Sequence, residues 1–289
     1  MVDNSSNIGL SVGVVLYNPT IEDVQNINYY ITSVNIVYVY DNSEKDNSDL
    51  LRQRLNSENY VYLHNGNNDG ISIALNEILR IAKAQGYRYL ILLDQDSIFE
   101  GEQMKQLFQF ALNLKKNDIA MYVPYVLFEN DRIRINKEWE FVDFAITSGN
   151  LLDIEICDKI GKFDEKLFID GVDRDYCFRI LKNNYKICRY NKVILKQCLG
   201  IGKKNIFGTY EHSVIRNYYI YRNRLYMVYK YPEIFKGLNK IKSLYLSIIK
   251  QVLSIVFCEK NKTEKLRIIK KATRDYKKGL MYKYQGEKN

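Results

Sequence analysis

Residues 88–97 read RYLILLDQDS. After Arg88 the run is continuously apolar to Leu93 rather than alternating, so 88–93 has the pattern of a strand covered on both faces of a sheet. It stops at Asp94-Gln95-Asp96-Ser97, so a buried strand hands over to a polar loop. The pattern recurs upstream. LSVGVVLY (10–17) ends at Asn18-Pro19, and VNIVYVY (34–40) ends at Asp41-Asn42-Ser43. A third brief strand is expected at 60–63. Residues 20–33 fit a short helix. In 70–85, Ile71, Leu75, Ile78, Leu79 and Ala82 share one helical stripe that stops at Gly86. A helix over 101–116 and a strand over 119–128 follow. This alternation predicts an α/β fold with a mostly parallel sheet flanked by helices. Ligands on such sheets bind at the carboxyl ends of the strands. Asn18, Asp41 and the Asp94–Asp96 turn all fall at those ends, which marks one edge as the candidate site.

The second half is less regular. Residues 131–143 read as a loop or hairpin, and Ser148-Gly149-Asn150 precedes the apolar stretch LLDIEICDKIG. A strand is expected over 186–195, a glycine-containing loop over 200–208, and helix from about 211 to 258. No internal repeat is visible. With 3 Pro and 15 Gly, collagen-like and proline-rich classes are excluded. The cysteines, at 157, 177, 188, 198 and 258, contain no CxxC pair and read as reduced buried thiols of a cytosolic protein. No N-terminal signal segment is visible. No uninterrupted apolar run reaches the ~18 residues of a membrane span.

Charge is unevenly divided. Residues 230–289 hold 16 Lys and Arg against 5 Asp and Glu, whereas residues 1–229 hold 27 against 29. A near-neutral body carries a basic tail, which is not the distribution of a uniformly basic nucleic-acid binder.

Three motifs carry chemistry. Asp94 and Asp96 are hard oxygen ligands suited to Mg²⁺ or Mn²⁺ bridging a substrate's phosphates, although a helix-capping turn is the competing reading. FIDGVDRDYCFR (168–179) brings Asp170, Asp173 and Asp175 together, with Arg179 six residues after Asp173. One such acid can serve as a general base; the first turn of a helix favours acids without any catalytic role. RNYYIYRN (216–223) offers Arg216 and Arg222 either to an anionic ligand or to a packed aromatic helix. No GxGxxG follows the first strand, no P-loop is present, and the two histidines, His64 and His212, form no HExxH or triad pattern.

Together, VGVVLYNP (12–19), VYVYDNS (37–43), NNDGISIALN (67–76), LILLDQDS (90–97), SGN (148–150), the 163–179 block and RNYYIYRN resemble glycosyltransferase family 2, in its bacterial rhamnosyltransferase-like branch. The resemblance spans about residues 10–225 and implies a GT-A fold. It divides the chain into a catalytic domain over 1–230, with a nucleotide-sugar half to about residue 100 and an acceptor half beyond it, and a helical extension over 231–289. It implies donor contacts from Tyr17, Asn18, Asp41, Asn68, Gly70, Asp94, Gln95 and Asp96. A divalent metal, Mn²⁺ or Mg²⁺, would sit on Asp96 and Asp94, with His212 as a further candidate ligand. Asp173 matches the catalytic base. Ser148, Gly149, Asp170, Arg179, Arg216 and Arg222 are implied for acceptor or diphosphate. One departure stands out: where the branch often carries a His before a Leu-Gly pair, this chain has Gln197. The implied activity is inverting, metal-dependent transfer of a sugar, rhamnose from dTDP-rhamnose favoured, to a hydroxyl of a lipid-linked surface polysaccharide. A UDP-hexose donor is the nearer alternative, and a non-catalytic membrane- or nucleic-acid-binding protein the more distant one.

In the tail, Ile241, Tyr245, Ile248, Val252, Ile255 and Val256 are expected on one helical face, followed by a lysine-rich stretch to 283. Basic amphipathic helices of this kind suit an anionic membrane surface. The expectation is a cytoplasmic protein held peripherally at the inner face of the membrane through 236–283; packing of 241–258 on the catalytic domain is the alternative.

Overall fold

The computed structural model describes residues 7–114, 116–128, 135–197 and 205–286. Cys198 and the start of the 200–208 loop lie outside the described residues. The chain forms two compact units, Met1–Asp164 with Val172–Leu199, and Glu165–Gly171 with Gly200–Asn289. The boundary read from sequence, at 230, falls inside the second unit.

The first unit contains β1 (Asn7–Leu16), α1 (Ile21–Asn26), β2 (Ile36–Asp41), α2 (Ser48–Arg54), β3 (Tyr60–His64), α3 (Ile71–Ala84), β4 (Tyr87–Asp94), β5 (Ser97–Ile98) and α4 (Gly101–Leu114). It continues through β6 (Ile119–Phe128), β7 (Trp139–Val142), β8 (Asn150–Asp153), α5 (Ile154–Ile160), α6 (Val172–Lys182) and β9 (Lys186–Gln197). The sheet runs β3-β2-β1-β4-β8-β6-β9-β5, with β7 also paired to β9. The first four positions are parallel, as the apolar runs predict. β8 is antiparallel to both β4 and β6. Adjacent residues such as Val14 and Val15 are both buried, so β1 is covered on its two faces.

Two local features explain departures from the sequence reading. Asp153 ends β8 and caps α5 at once: its carboxylate accepts from the Glu155 N–H and pairs with Arg88 at 2.9 Å. Strand and helix therefore join without a loop, and LLDIEIC carries no boundary signal. The short α2 buries Leu51 but little else.

In the second unit, α7 (Val214–Lys230) is followed by α8 (Gly237–Ile241), a π-helical turn (Lys242–Leu246), α9 (Ser247–Cys258) and α10 (Lys262–Lys277). The expected continuous helix is broken after Lys230, where Pro232 follows Tyr231. Ile268 and Ala272 of α10 pack against Tyr218 and Tyr219 of α7, and Tyr218 donates to Asp275 at 2.8 Å. The apolar face of α10 is therefore core, which removes 262–277 from the expected membrane surface. Lys265, nearly buried, pairs with Glu259 and Glu211 at 2.9 Å each. Cys157, Cys177 and Cys188 are buried as expected, whereas Cys258 is exposed.

Gly13 lets α3 lie directly on β1, since a Cβ there would stand 2.4 Å from Ile78 Cγ2. Gly13→Ala overpacks this contact and is expected to cost about 1–3 kcal/mol in urea denaturation. An unchanged midpoint would show that the helix does not press on the strand.

Candidate active site

The pairing register sets the edge of the site. Leu16 aligns with Asp41 and Val15 with Asp94, so the ends of β1, β2 and β4 open on the same side. β8 runs the opposite way, with Asn150 opposite Leu92, and brings the preceding Ser148-Gly149 to that edge.

A directional hydrogen-bond relay connects these ends. The Asp94 N–H donates to Ser148 Oγ at 3.1 Å. Ser148 and Ser97 hydroxyls lie 2.6 Å apart, and Ser97 donates to Gln197 Oε1 at 2.8 Å. Gln197 Nε2 then donates to Asp96 Oδ1 at 3.1 Å. Since Ser97 gives its proton to Gln197, Ser148 must donate to Ser97. The residue that departs from the branch pattern thus closes the chain that holds the Asp-x-Asp turn. Its place is fixed by the antiparallel pairing of Ser97 with Gln197.

Burial, followed by the nearby charges of Asp173 and Asp96, pushes the Asp94 carboxyl up to about 7. Burial also raises Asp96, assisted by Asp23. Asp173 sits in the first turn of α6, where its Oδ1 accepts from the Thr147 N–H at 3.2 Å and from the Thr147 hydroxyl. Asp175, its neighbour in the motif, is fully buried and pairs with Arg179 at 2.9 Å. Gln95 bridges β1 and α1, accepting from the Tyr17 N–H at 2.7 Å and donating to Asp23 at 3.3 Å. Asn18, at φ 45°, donates through its N–H to Ser43 Oγ. Asn68 accepts from the Gly70 N–H, and the intervening Asp69 N–H reaches Asn42.

Other expected ligand contacts are internal supports instead. Asp41 is fully buried, and its carboxylate accepts from Ser43, from Asn47 twice and from the Tyr62 hydroxyl at 2.7 Å; it shapes the β2 loop. Ser148 is spent on the relay. Gly149 has φ +82°, and a Cβ there would meet Leu195 and Pro124 at 2.9 Å, so its role is close packing. Arg179 donates to Asp175 and to the carbonyls of Ile160 and Gly161. Arg222 is fully buried, stacked on Tyr218 and Tyr219, and donates to Tyr282 O and Asn223 Oδ1. Both guanidiniums are tied to backbone carbonyls and leave the expected diphosphate set.

In the second unit Arg216 is exposed and reaches Asp170 at 3.4 Å. Burial raises the Asp170 carboxyl despite Arg216, and Asp170 Oδ2 is buried without a hydrogen-bond partner. His212 is held below its usual pKa by burial and Arg216. Sequence reasoning missed Thr147, Tyr62 and Asp23. Only Thr147 carried a signal, as the residue directly before the SGN segment.

The profile of the family described as Glycosyl transferase family 2 matches residues 16–164. The chain belongs to that family. It is 28% identical to dTDP-rhamnosyl transferase RfbF of Shigella flexneri over 297 residues, covering 95% of this chain and 97% of that one. Among solved structures it is similar to the crystal structure of S. aureus TarS, at 14% identity and TM-score 0.49, covering 92% of this chain and 43% of the TarS chain. The α/β class with a helical C-terminal part, expected from sequence, is borne out. As a member of the family the chain is a glycosyltransferase, acting on a nucleotide-sugar donor and a glycan acceptor. The 168–179 block lies beyond the matched residues.

The two arginines of α7 are separable. Arg222→Ala is expected to cost about 2–4 kcal/mol of unfolding free energy, because it removes a fully buried side chain together with its hydrogen bonds and its stacking on Tyr218 and Tyr219. Arg216→Ala should stay within about 0.5 kcal/mol, as exposed pairs do. Equal effects in chemical denaturation would refute the division.

Proposed function

We propose that the chain is an inverting, metal-dependent transferase that moves rhamnose from dTDP-rhamnose to a hydroxyl of a lipid-linked glycan in surface-polysaccharide assembly, at the inner face of the cell membrane. The observation that carries the chemistry is the gathering of Asp94, Asp96 and Asp173 at one strand-end edge, with Asp94 driven to about 7 by burial and then by the other two. Support for the donor comes from the likeness to the Shigella flexneri dTDP-rhamnosyl transferase.

The donor set fits a hard divalent cation. Burial and the nearby charges of Asp173 and Asp96 disfavour the ionised form of Asp94, and a cation beside it would favour that form. Asp96 and Asp94 would hold the ion. Among the described residues no three His, Cys, Asp or Glu side chains converge as a complete ligand set, so phosphate oxygens and water would complete the shell, as is usual for Mg²⁺. When bound, such an ion supplies positive charge to the departing diphosphate.

The chain's own residues do the rest. Gln197 fixes the Asp96 carboxylate through Oδ1, and Thr147 orients Asp173. Asp173 takes the proton of the acceptor hydroxyl as that oxygen attacks the anomeric carbon. The bond from that carbon to the diphosphate breaks on the opposite face, and its electron pair leaves with the nucleotide.

Purified protein with Mn²⁺ should release dTDP from dTDP-rhamnose faster than UDP or GDP from their hexose conjugates. Preference for a UDP-hexose would overturn the donor, and no release from any conjugate would overturn the reaction. Asp173→Asn should lower transfer by about 10²–10⁴-fold at unchanged donor affinity. Gln197→Ala should weaken Mn²⁺-dependent dTDP binding by about 10–100-fold, the usual effect of removing a group that orients a metal ligand; calorimetry showing unchanged affinity would remove Gln197 from this role.

A further inference from the structure

The helical segment Gly237–Cys258 is long and apolar enough, by length and composition, to cross a membrane. Two features argue against a crossing. First, α7 precedes this segment and α10 follows it, yet they pack together through Tyr218, Tyr219, Ile268 and Ala272. A span would place them on opposite sides of the bilayer. Second, the inward face is polar. Gln251 donates to Asn217 at 2.7 Å and accepts from Arg224 at 3.2 Å. Ser254 donates to Glu259 at 2.6 Å. In lipid these groups would lose partners they hold in the protein.

The outward face is apolar. Leu238, Ile241, Tyr245, Ile249, Leu253 and Val256 recur at helical spacing and are exposed, Leu238 by 83%. This corrects the face read from sequence: Ile255 is buried, while Ile248 and Val252 are only half-buried. The π-helical turn at Lys242–Leu246 shifts the register that a regular 3.6-residue repeat would give. Lys236, Lys240, Lys242 and Lys250 are all exposed, and no acidic residue occurs from 236 to 258.

We propose that this segment lies in the plane of an anionic lipid bilayer, its outer stripe inserted at the acyl-chain boundary and its lysines among the phosphates. Charge decides the occupant. A second copy docking by two-fold symmetry would set eight like charges around one apolar patch, whereas anionic headgroups complement them. The inference is independent of which sugar donor the protein uses.

The test is sedimentation of the full chain with phosphatidylglycerol-containing vesicles against pure phosphatidylcholine vesicles. Binding should favour the anionic vesicles by about tenfold or more. The double change Ile249→Glu with Leu253→Glu should abolish binding to both. Lys240→Gln, Lys242→Gln and Lys250→Gln together should remove the anionic preference. All these positions are exposed, so circular dichroism and donor hydrolysis should be unchanged. Bound protein should leave the vesicles in alkaline carbonate. Resistance to extraction would overturn the in-plane placement in favour of a span. Failure of the wild-type chain to bind, or a solution dimer that the Ile249→Glu, Leu253→Glu pair dissociates, would overturn the lipid as occupant.

Discussion

One buried hydroxyl holds the strand-end edge together. Ser148 accepts from the backbone of Asp94, at the end of β4, and donates to Ser97, at the start of β5. Ser148 itself precedes β8, so three elements meet at a single oxygen. It is 1% exposed, and water cannot stand in for a lost partner there; each orphaned group would carry its full desolvation cost. A hydroxyl has one proton to give, and Ser97 gives its own to Gln197, so Ser148 must donate to Ser97 and the relay runs one way to Asp96. Position 197 must accept from one side and donate on the other. A primary amide does both with separate atoms.

The acids of the first unit fall into two groups with opposite physics. Asp41, Asp153 and Asp175 are buried and answered by protein donors: a tyrosine and an asparagine, an arginine and a backbone N–H, and an arginine. These shape loops and join elements. Asp94 is raised by burial and then by Asp173 and Asp96, and Asp96 by burial and then by Asp23. Raised carboxylates clustered in a cleft are characteristic of functional sites. Asp41, Asp153 and Asp94 look alike in the sequence, each directly after an apolar run.

That likeness explains what was legible in advance and what was not. Strands β1, β2, β4 and β6 and helices α3 and α4 were readable because each carries a long apolar run or a full stripe. Helix α2 has two turns and one buried leucine, too little for periodicity to register. Strand β8 was hidden because Asp153 serves two elements. At the site, Asp94, Asp96 and Asp173 could be found from local pattern. The fates of Arg179, Arg222 and Asp41 could not, since they are decided by carbonyls and hydroxyls brought in from up to sixty residues away. The outward stripe of the 237–258 segment was misplaced by one local departure from regular helix geometry.

The relay has a consequence for how the protein responds to ionic strength. Its links are a backbone N–H, two hydroxyls and an amide, with formal charge only at the last acceptor. Mobile ions scarcely affect short neutral hydrogen bonds in a buried site. The lysines on the outward helix are solvent-facing, and their attraction for any anionic surface decays over a screening length of about 8 Å in physiological saline. Order at the strand ends and the proposed adhesion through the tail therefore sit on different scales of salt sensitivity. A concentrated-salt wash would weaken the second while leaving the first intact.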